Sequence, residues 1–171
     1  MTIAHDGQIE GRTFAQKLVY FLINIYEMPL VEKPHFKAGL YGPYSEEVAS
    51  ELSKLVALDF LDEKIYRTSK GNLMYIYSLN EDGKKIIEKI IREHSKAYSL
   101  IRRFLNKLRD IKTEDLIIAS KVHYIIEEDP QLIEDQVKLI SKAENYGWDI
   151  KTEEIKRCLE ILKVIKNERK T

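Results

Sequence analysis

Residues 45–79 read SEEVASELSKLVALDFLDEKIYRTSKGNLMYIYSL, and this stretch decides the fold. Ser45 offers a side-chain oxygen as an N-cap, and two carboxylates follow it at the positive end of a helix dipole. The pattern predicts a helix to about Leu58 whose buried face consists of Val48, Ala49, Leu52, Leu55 and Val56. Two runs rich in β-branched and aromatic residues follow, over 64–69 and 73–79, with Gly71 between them. The stretch therefore predicts a helix followed by a β-hairpin.

The residues before this stretch add another helix and a link. Apolar residues at helical spacing predict a helix from Arg12 to Tyr26, and Met28-Pro29 ends it. Residues 35–44 are rich in Gly, Pro and aromatic residues, which indicates an extended or turning link. Helix, link, helix and hairpin is the order of a winged helix-turn-helix, with the hairpin as the wing and the Ser45 helix in the recognition position. The segment before Arg12 is short, so we expect the first helix of that fold to be very short or absent.

The residues after the hairpin predict a long helix and three further helices. The long helix runs from Asn80 to about Asp110, and the others cover about 113–127, 130–145 and 152–168. Their starts are marked by cap residues at Asn80, Thr113 and Thr152, and by Asp129-Pro130. Gly147 is expected in the left-handed conformation before the last helix. The long helix carries a heptad-type seam of Ile87, Ile91, His94, Tyr98, Ile101, Leu105 and Leu108.

The predicted fold class is mainly α with a small β-hairpin: a winged helix-turn-helix, then a long helix and a C-terminal helical module. The expected divisions are a winged-helix domain over 1–79, a connecting helix over 80–111 and a three-helix module over 112–171. The seam could pack on the C-terminal helices or on its twin in a homodimer, and we expect a homodimer because winged-helix proteins commonly bind two half-sites.

Composition narrows the classes of function. The chain has 171 residues and a net charge of zero, which argues against a globally basic nucleic-acid coat. A single cysteine, Cys158, leaves no disulfide framework and no CxxC metal knuckle. No apolar run is long enough to span a membrane, and residues 1–11 lack the apolar core of a secretory signal, so the expected location is the cytoplasm. The sequence has no P-loop, GxSxG, HExxH or dinucleotide glycine fingerprint, and we expect no enzyme activity, cofactor or metal.

Two short motifs carry a family resemblance. Residues 11–20 read GRTFAQKLVY, and residues 41–45 read YGPYS. Over about residues 9–83 the chain resembles the YwgA-like group of small prokaryotic winged-helix proteins. It is more distantly similar to the Panacea domain of antitoxins, which shares a QKL(V/L)Y helix and a YGP turn. The resemblance implies a winged helix and either nucleic-acid binding or antitoxin-like protein binding, and it implies no catalytic residue.

The candidate DNA contacts fall into three groups. The wing group is basic and polar and consists of Lys64, Arg67, Ser69, Lys70 and Asn72. The recognition-position helix offers Ser50 and Lys54, although Glu46 and Glu47 lead it and phosphates repel carboxylates. The third group is a basic stripe along the long helix: Lys85, Lys89, Arg92, Lys96, Arg103 and Lys107. Each group could instead be an ordinary solvated surface. Residues 80–111 hold a net charge of +4 and the regions on either side hold −2 each, so the positive charge lies outside the winged-helix segment.

These observations leave two hypotheses of different classes. One is a winged-helix DNA-binding protein of the transcription-regulator type, with double-stranded DNA and a second copy of itself as partners. The other is a protein-interaction module of antitoxin or defence type that uses the winged-helix scaffold without binding DNA, and the Tyr41-Gly42-Pro43-Tyr44 turn would then offer a peptide-binding surface. The basic hairpin and the family resemblance favour the first hypothesis, whereas the acidic start of the Ser45 helix and the zero net charge favour the second.

Overall fold

A computed structural model describes residues 7–26, 28, 32–69 and 71–166. Within these residues the protein is mainly α-helical with two small antiparallel sheets. The strands are β1 (Gln8–Glu10), β2 (Lys37–Gly39), β3 (Gly42–Tyr44), β4 (Leu61–Arg67) and β5 (Leu73–Leu79). The helices are α1 (Arg12–Asn24), α2 (Glu46–Ala57), α3 (Glu81–Glu93), α4 (Ser95–Leu108), α5 (Thr113–Glu128), α6 (Gln136–Asn145) and α7 (Thr152–Lys166).

The helix and the hairpin of the deciding stretch are both present, but two details differ from the prediction. No residue of α2 is buried, and Leu55 of its predicted buried face is exposed. The first strand of the hairpin is Leu61–Arg67 rather than 64–69. The Ser45 hydroxyl accepts a hydrogen bond from the Val48 N–H and caps α2. Strands β4 and β5 pair antiparallel from Leu61 opposite Leu79 to Arg67 opposite Leu73. The link over 35–44 is extended, as expected, and it folds on itself because β2 pairs with β3.

A strand occupies the place where we expected a short or absent first helix. Strand β1 pairs antiparallel with β5, so the main sheet has the order β1-β5-β4. Gly11 follows β1 with φ +92°, and its N–H donates to the Tyr75 carbonyl at 2.7 Å. The positive φ lets the chain turn directly from the sheet into α1.

The prediction of one helix from Asn80 to about Asp110 is wrong at His94. His94 has φ −123° and ψ 43°, outside the helical region, and it separates α3 from α4. The two helices also have different neighbours, since α4 buries Phe104, Leu105 and Leu108 in the core whereas the only residue that α3 buries is Gly83. Heptad spacing continues across His94 in the sequence, but the chain itself does not continue as one helix.

Smaller corrections concern the C-terminal helices. The predicted helix over 130–145 is a 3₁₀ turn over Pro130–Ile133 followed by α6, because Asp135 accepts from the Lys138 N–H and starts a new helix. Thr113 and Thr152 are the first helical residues of α5 and α7 rather than their caps. The cap at Asn80 is confirmed, and Gly147 has the expected left-handed φ of +71°.

One buried core connects the three predicted segments. It includes Leu18 and Phe21 of α1, Phe104 of α4, Leu116 of α5 and Ile155 of α7. Helix α1 contacts α5, and α5 packs along α7. The first helix of the predicted winged-helix segment is therefore surrounded by elements from the C-terminal part of the chain.

Candidate functional site

The two sequence motifs are joined by a pair of buried hydrogen bonds. The Gln16 Nε2 donates to the Ser45 carbonyl at 2.9 Å, and the Ser45 N–H donates to the Gln16 Oε1 at 3.0 Å. Both residues are buried. The side-chain amide of α1 therefore acts like one residue of a β-ladder, because it satisfies both backbone groups of the residue that begins α2.

Lys17, the residue after Gln16, lies beneath residues 39–44, which we call the tyrosine turn. Its exposed fraction is 2%, and its Nζ donates to the Pro43 carbonyl at 2.8 Å. Burial, and then the charge of Lys121, lower the Lys17 pKa from 10.5 to about 7. A charged amine at this position is therefore costly, and its hydrogen bond fixes the turn against α1.

Gly42 is the residue over which the turn approaches α5. Its φ is +93°, and a Cβ built there would lie 3.0 Å from both the Ser120 Oγ and the Lys121 Cγ. Glycine is required because a side chain would be strained by the backbone and crowded by α5. The YGPY motif thus has a structural role, as its Gly and Pro suggest, and the structure adds that Gly42 is the residue that approaches α5.

Arg12 connects α1 to the hairpin. Its Nε donates to the Tyr77 hydroxyl at 2.8 Å, its Nη2 lies 3.1 Å from the Glu63 Oε2, and its guanidinium carbon lies 3.9 Å from the centre of the Tyr75 ring. The Tyr77 hydroxyl donates to the same Glu63 oxygen. Burial, and then the hydrogen bond to Glu63, raise the Tyr77 pKa to about 12, so this hydroxyl stays a donor at neutral pH.

A cleft of about 350 Å³ lies between α1, the tyrosine turn and α2. We call it the tyrosine-turn cleft, and its lining includes Arg12, Thr13, Tyr41, Tyr44, Ala49 and Ser53. Leu40 and Tyr41 at its edge have exposed fractions of 75% and 59%. The cleft combines apolar and aromatic walls with a few polar groups, which is the usual chemistry of a binding site for a side chain or small molecule.

The predicted wing residues do not form one patch. Lys64, Arg67, Ser69 and Asn72 are exposed, whereas Lys70 lies outside the described residues. Lys64 and Arg67 are three positions apart on β4, so they point to opposite faces of the hairpin. The Arg67 Nη1 donates to the Gly71 carbonyl at 3.2 Å, across the turn.

Apolar side chains share the hairpin with these basic residues. The exposed ones are Ile65, Tyr66 and Leu73. A hairpin with cations on different faces and large apolar groups between them lacks the continuous positive surface that phosphate contacts favour.

The predicted recognition residues lie on an acidic helix. Ser50 is exposed, and the Lys54 Nζ pairs with the Glu51 Oε1 at 2.6 Å. At the start of the helix Glu46 pairs with Lys37, and the Glu47 carboxylate accepts a hydrogen bond from the Ser45 hydroxyl, which lowers the Glu47 pKa. The cations near α2 are thus matched by carboxylates, and its outer face keeps an excess of negative charge.

The predicted basic stripe is divided by the break at His94. Lys85, Lys89 and Arg92 lie on α3, whereas Lys96, Arg103 and Lys107 lie on α4. Lys85 pairs with Asp82 at 2.8 Å. The Lys107 Nζ donates to the Val164 and Ile165 carbonyls near the end of α7, so it stabilises the core rather than facing a ligand. The expectation of one straight basic surface along a single helix is therefore wrong.

The predicted dimer seam is also divided. Leu105 and Leu108 are buried in the chain's own core, and Ile101 packs against that core. Tyr98 is half-buried, His94 is exposed, and Ile87 and Ile91 are half-buried on α3. The part of the seam from Ile101 to Leu108 is therefore intramolecular, and the part from Ile87 to Tyr98 is at least partly accessible to another molecule.

An apolar groove of about 660 Å³, not predicted from the sequence, lies between α1, α2 and α3. Its lining includes Val19, Leu52, Leu55, Leu61, Ile86 and Ile90. The signal for it was the doubled isoleucines Ile86-Ile87 and Ile90-Ile91, since a single seam needs only one residue of each pair.

His123 and Cys158 are both buried in the core of the described structure. His123 is buried, and its Nδ1 shares a hydrogen bond of 2.9 Å with the Tyr20 hydroxyl. Burial, and then Lys166, lower the His123 pKa to about 4. Burial raises the Cys158 pKa to about 12. Among the described residues, no group of three or more His, Cys, Asp or Glu side chains could hold a metal ion.

The described part of the chain thus defines a mainly α-helical protein with small antiparallel sheets and two clefts flanking α2. None of its described helices is long and apolar enough to cross a membrane. No family model matches the chain. It is 36% identical over 83 residues to the uncharacterized protein YwgA of Bacillus subtilis (strain 168). The match covers 48% of this chain and 48% of that relative, so the chain is matched over about half the relative's length, and the similarity supports a relation to a YwgA-like family.

Proposed function

We propose that the protein is a protein-interaction module with a winged-helix arrangement, and that its partner inserts an apolar side chain of an extended segment into the tyrosine-turn cleft. The order of α1, link, α2 and hairpin supports this arrangement, with β1 in the place of a first helix. The distant resemblance to the Panacea antitoxin domain supports a function in binding another protein.

The exposure of apolar side chains around the tyrosine-turn cleft is the observation that carries the proposal. Leu40, Tyr41 and Tyr44 surround a concave site while remaining exposed to solvent. Large apolar groups clustered around a cleft mark interaction sites, and tyrosine is enriched in protein interfaces because its ring packs while its hydroxyl stays hydrated. Hydrogen bonds from Gln16 and Lys17 hold the walls of this cleft in place, so a partner would meet a largely preformed site.

The charge on α2 supports protein rather than DNA as the partner. A helix that enters the major groove usually presents Arg, Lys, Asn or Gln to the bases and phosphates. Helix α2 presents Glu46, Glu47 and Glu51 on its exposed surface, and its one lysine is paired with Glu51. Insertion of this helix would bring carboxylates close to phosphates, at an electrostatic cost.

A photo-crosslinking experiment tests the proposal. A benzophenone amino acid replaces Tyr41 in one variant and Glu144, an exposed residue of α6, in the control. We expect a protein that crosslinks at position 41 and not at position 144. That protein, once purified, should bind the wild type in calorimetry and lose about tenfold or more in affinity with Leu40→Ser/Tyr41→Ser. Equal crosslinking at the two positions, or unchanged affinity of the double variant, would overturn the proposal.

DNA binding by the hairpin is the second candidate, and one observation favours it. Lys64 is exposed and makes no ion pair within the described ranges, so its charge is available to a phosphate. The test is a fluorescence-anisotropy salt titration on random-sequence duplex, starting at about 50 mM salt. Under this candidate Lys64→Ala/Arg67→Ala flattens the salt slope by about 2, whereas Ser50→Ala/Lys54→Ala changes it less. Absence of binding by the wild type at the lowest salt would remove this candidate.

A further inference from the structure

We propose that the apolar groove is the interface of a symmetric homodimer, in which α3 of a second copy lies between α2 and α3 of the first. This interface is on the other side of α2 from the tyrosine-turn cleft, so it goes beyond the proposed function. It also replaces the predicted seam, whose C-terminal half is buried within the chain.

Among the described residues, helix α3 makes few contacts with the rest of its chain, and these are mainly with β5 and α4. It has 13 residues, and only Gly83 is buried. The Gly83 backbone lies so close to Phe60 that a Cβ would be 2.1 Å from the Phe60 carbonyl oxygen, and this contact fixes the start of the helix against the β4 end of the sheet. Beyond that point Ile86 and Ile90 keep exposed fractions of 41% and 42%. A helix of this length is marginal in water without packing on its apolar face, so the face needs a cover.

The opposite wall of the groove is apolar as well. Leu52 and Leu55 of α2 line it, and Val19 of α1 and Leu61 of β4 contribute to its lining. A groove of this shape accepts an amphipathic helix whose apolar residues repeat at i, i+3 and i+4. Helix α3 has that repeat in Ile86, Ile87, Ile90 and Ile91, so the chain itself contains a helix of the required chemistry.

Charge identifies the second copy as the occupant. The α2 rim of the groove carries Glu47 and Glu51, and Glu32 and Lys33, which also line the groove, offset each other in charge. Lys89 adjoins Ile86 on the surface of α3 by helical spacing, and it makes no ion pair among the residues described. When α3 of one copy enters the groove of the other, Lys89 approaches the partner's acidic rim, and twofold symmetry produces the same contact a second time. Among the described residues, Glu51 pairs with the exposed Lys54 alone, and such a weak surface pair can exchange partners.

Sedimentation equilibrium of the full chain, from about 1 μM to about 1 mM, tests the interface. We expect the wild type to dimerise and Ile86→Glu/Ile90→Glu to be monomeric, because the substitution places four carboxylates in one apolar interface. Val137→Glu is the matched control, since Val137 is a more exposed apolar residue on α6, and it should dimerise like the wild type. A monomeric wild type, or a dimer that survives Ile86→Glu/Ile90→Glu, overturns the interface.

A charge exchange keeps the proposal testable if the isoleucine variant fails to fold. Lys89→Glu and Glu47→Lys/Glu51→Lys change only exposed side chains, and each should weaken the dimer by about tenfold or more. Mixed together, the two variants should form a heterodimer tighter than either homodimer, because both symmetric contacts regain opposite charges. If the heterodimer in the mixture is no tighter than the two variant homodimers, α3 does not lie in the groove of the second copy. Crosslinking at Tyr41 tests the tyrosine-turn cleft, whereas sedimentation tests the apolar groove. A negative result in one experiment therefore leaves the other proposal standing.

Discussion

Gln16 and Ser45 are 29 positions apart, and the side chain of the first hydrogen-bonds both the N–H and the carbonyl of the second. This relationship couples the first helix to the cap of α2, because Ser45 also accepts from the Val48 N–H. The position of α2, and with it the wall shared by the tyrosine-turn cleft and the apolar groove, depends on this one amide.

Gln16→Ala should lower the free energy of unfolding by about 2 kcal/mol, since it leaves the buried Ser45 N–H without its partner and removes one of the two hydrogen bonds to the Ser45 carbonyl, which still accepts from the Ala49 N–H. Urea denaturation followed by circular dichroism measures the change. Gln131→Ala is the control because Gln131 is exposed, and it should stay within about 0.5 kcal/mol of the wild type. Equal effects of the two substitutions would show that the paired hydrogen bonds do not stabilise the fold.

Gly42→Ala should destabilise the protein more than Gly71→Ala. Both glycines have positive φ, at +93° and +80°, so both substitutions carry backbone strain of about 1 kcal/mol. Only Gly42 is crowded, since nothing lies within 4 Å of a Cβ at Gly71. The difference between the two unfolding free energies, expected at about 1 kcal/mol or more, reports the packing of the tyrosine turn on α5. A difference near zero would show that α5 moves to accommodate the added methyl group without loss of stability.

The elements with local signals were predictable from the sequence. Ser45 and Asn80 cap their helices through side-chain oxygens, and the alternating residues of β4 and β5 around Gly71 form the hairpin. These features depend on residues within a few positions of one another. The three-residue strand β1 was not predictable, because its pairing with β5 is a contact between residues about 68 positions apart.

The break at His94 and the two clefts required the tertiary structure. Heptad spacing continues across His94, and only the burial of Leu105 and Leu108 against the C-terminal helices shows that the two halves of the seam face different neighbours. Lys64 and Arg67 are exposed in the hairpin, but the face on which each lies depends on its position along β4, and they lie on opposite faces. No local sequence pattern indicates the pairing of Gln16 with Ser45, although both residues lie in the motifs that carry the family resemblance.

His123 should make the protein less stable as the pH falls from about 6.5 to about 4. Its folded-state pKa is about 4 against an ordinary 6.5, because burial and then Lys166 disfavour the charged ring. Between these values the unfolded chain binds the extra proton, so the free energy of unfolding decreases as the pH falls.

The measurement for His123 is the difference in unfolding free energy between pH 6.5 and pH 4. His123→Gln can still accept a hydrogen bond from Tyr20, and it should remove up to about 3 kcal/mol of this difference. His94→Gln is the control, since it removes an exposed histidine. If the unfolding free energy changes equally between pH 6.5 and pH 4 in His123→Gln and in the wild type, His123 is not the group responsible.

Lys17 should have an effect of the same sign as His123 but on the alkaline side, so that stability rises with pH. The folded-state pKa of its amine is about 7, lowered chiefly by burial and then by Lys121, whereas the unfolded chain titrates near 10.5. From pH 7 upwards the unfolded state therefore holds a proton that the folded state has lost, so the free energy of unfolding increases by about 2 kcal/mol between pH 7 and pH 9. Lys17→Met retains the apolar stem without the amine, and this increase should disappear, whereas Lys138→Met at an exposed position should retain it.

The tyrosines do not imitate the effect in this range, because burial raises the Tyr77 pKa to about 12 and an acid whose pKa is raised on folding lowers stability as the pH rises. Urea titrations of the wild type, Lys17→Met and Lys138→Met at pH 7, 8 and 9 measure this change in unfolding free energy. If the increase persists in Lys17→Met, it arises from another group.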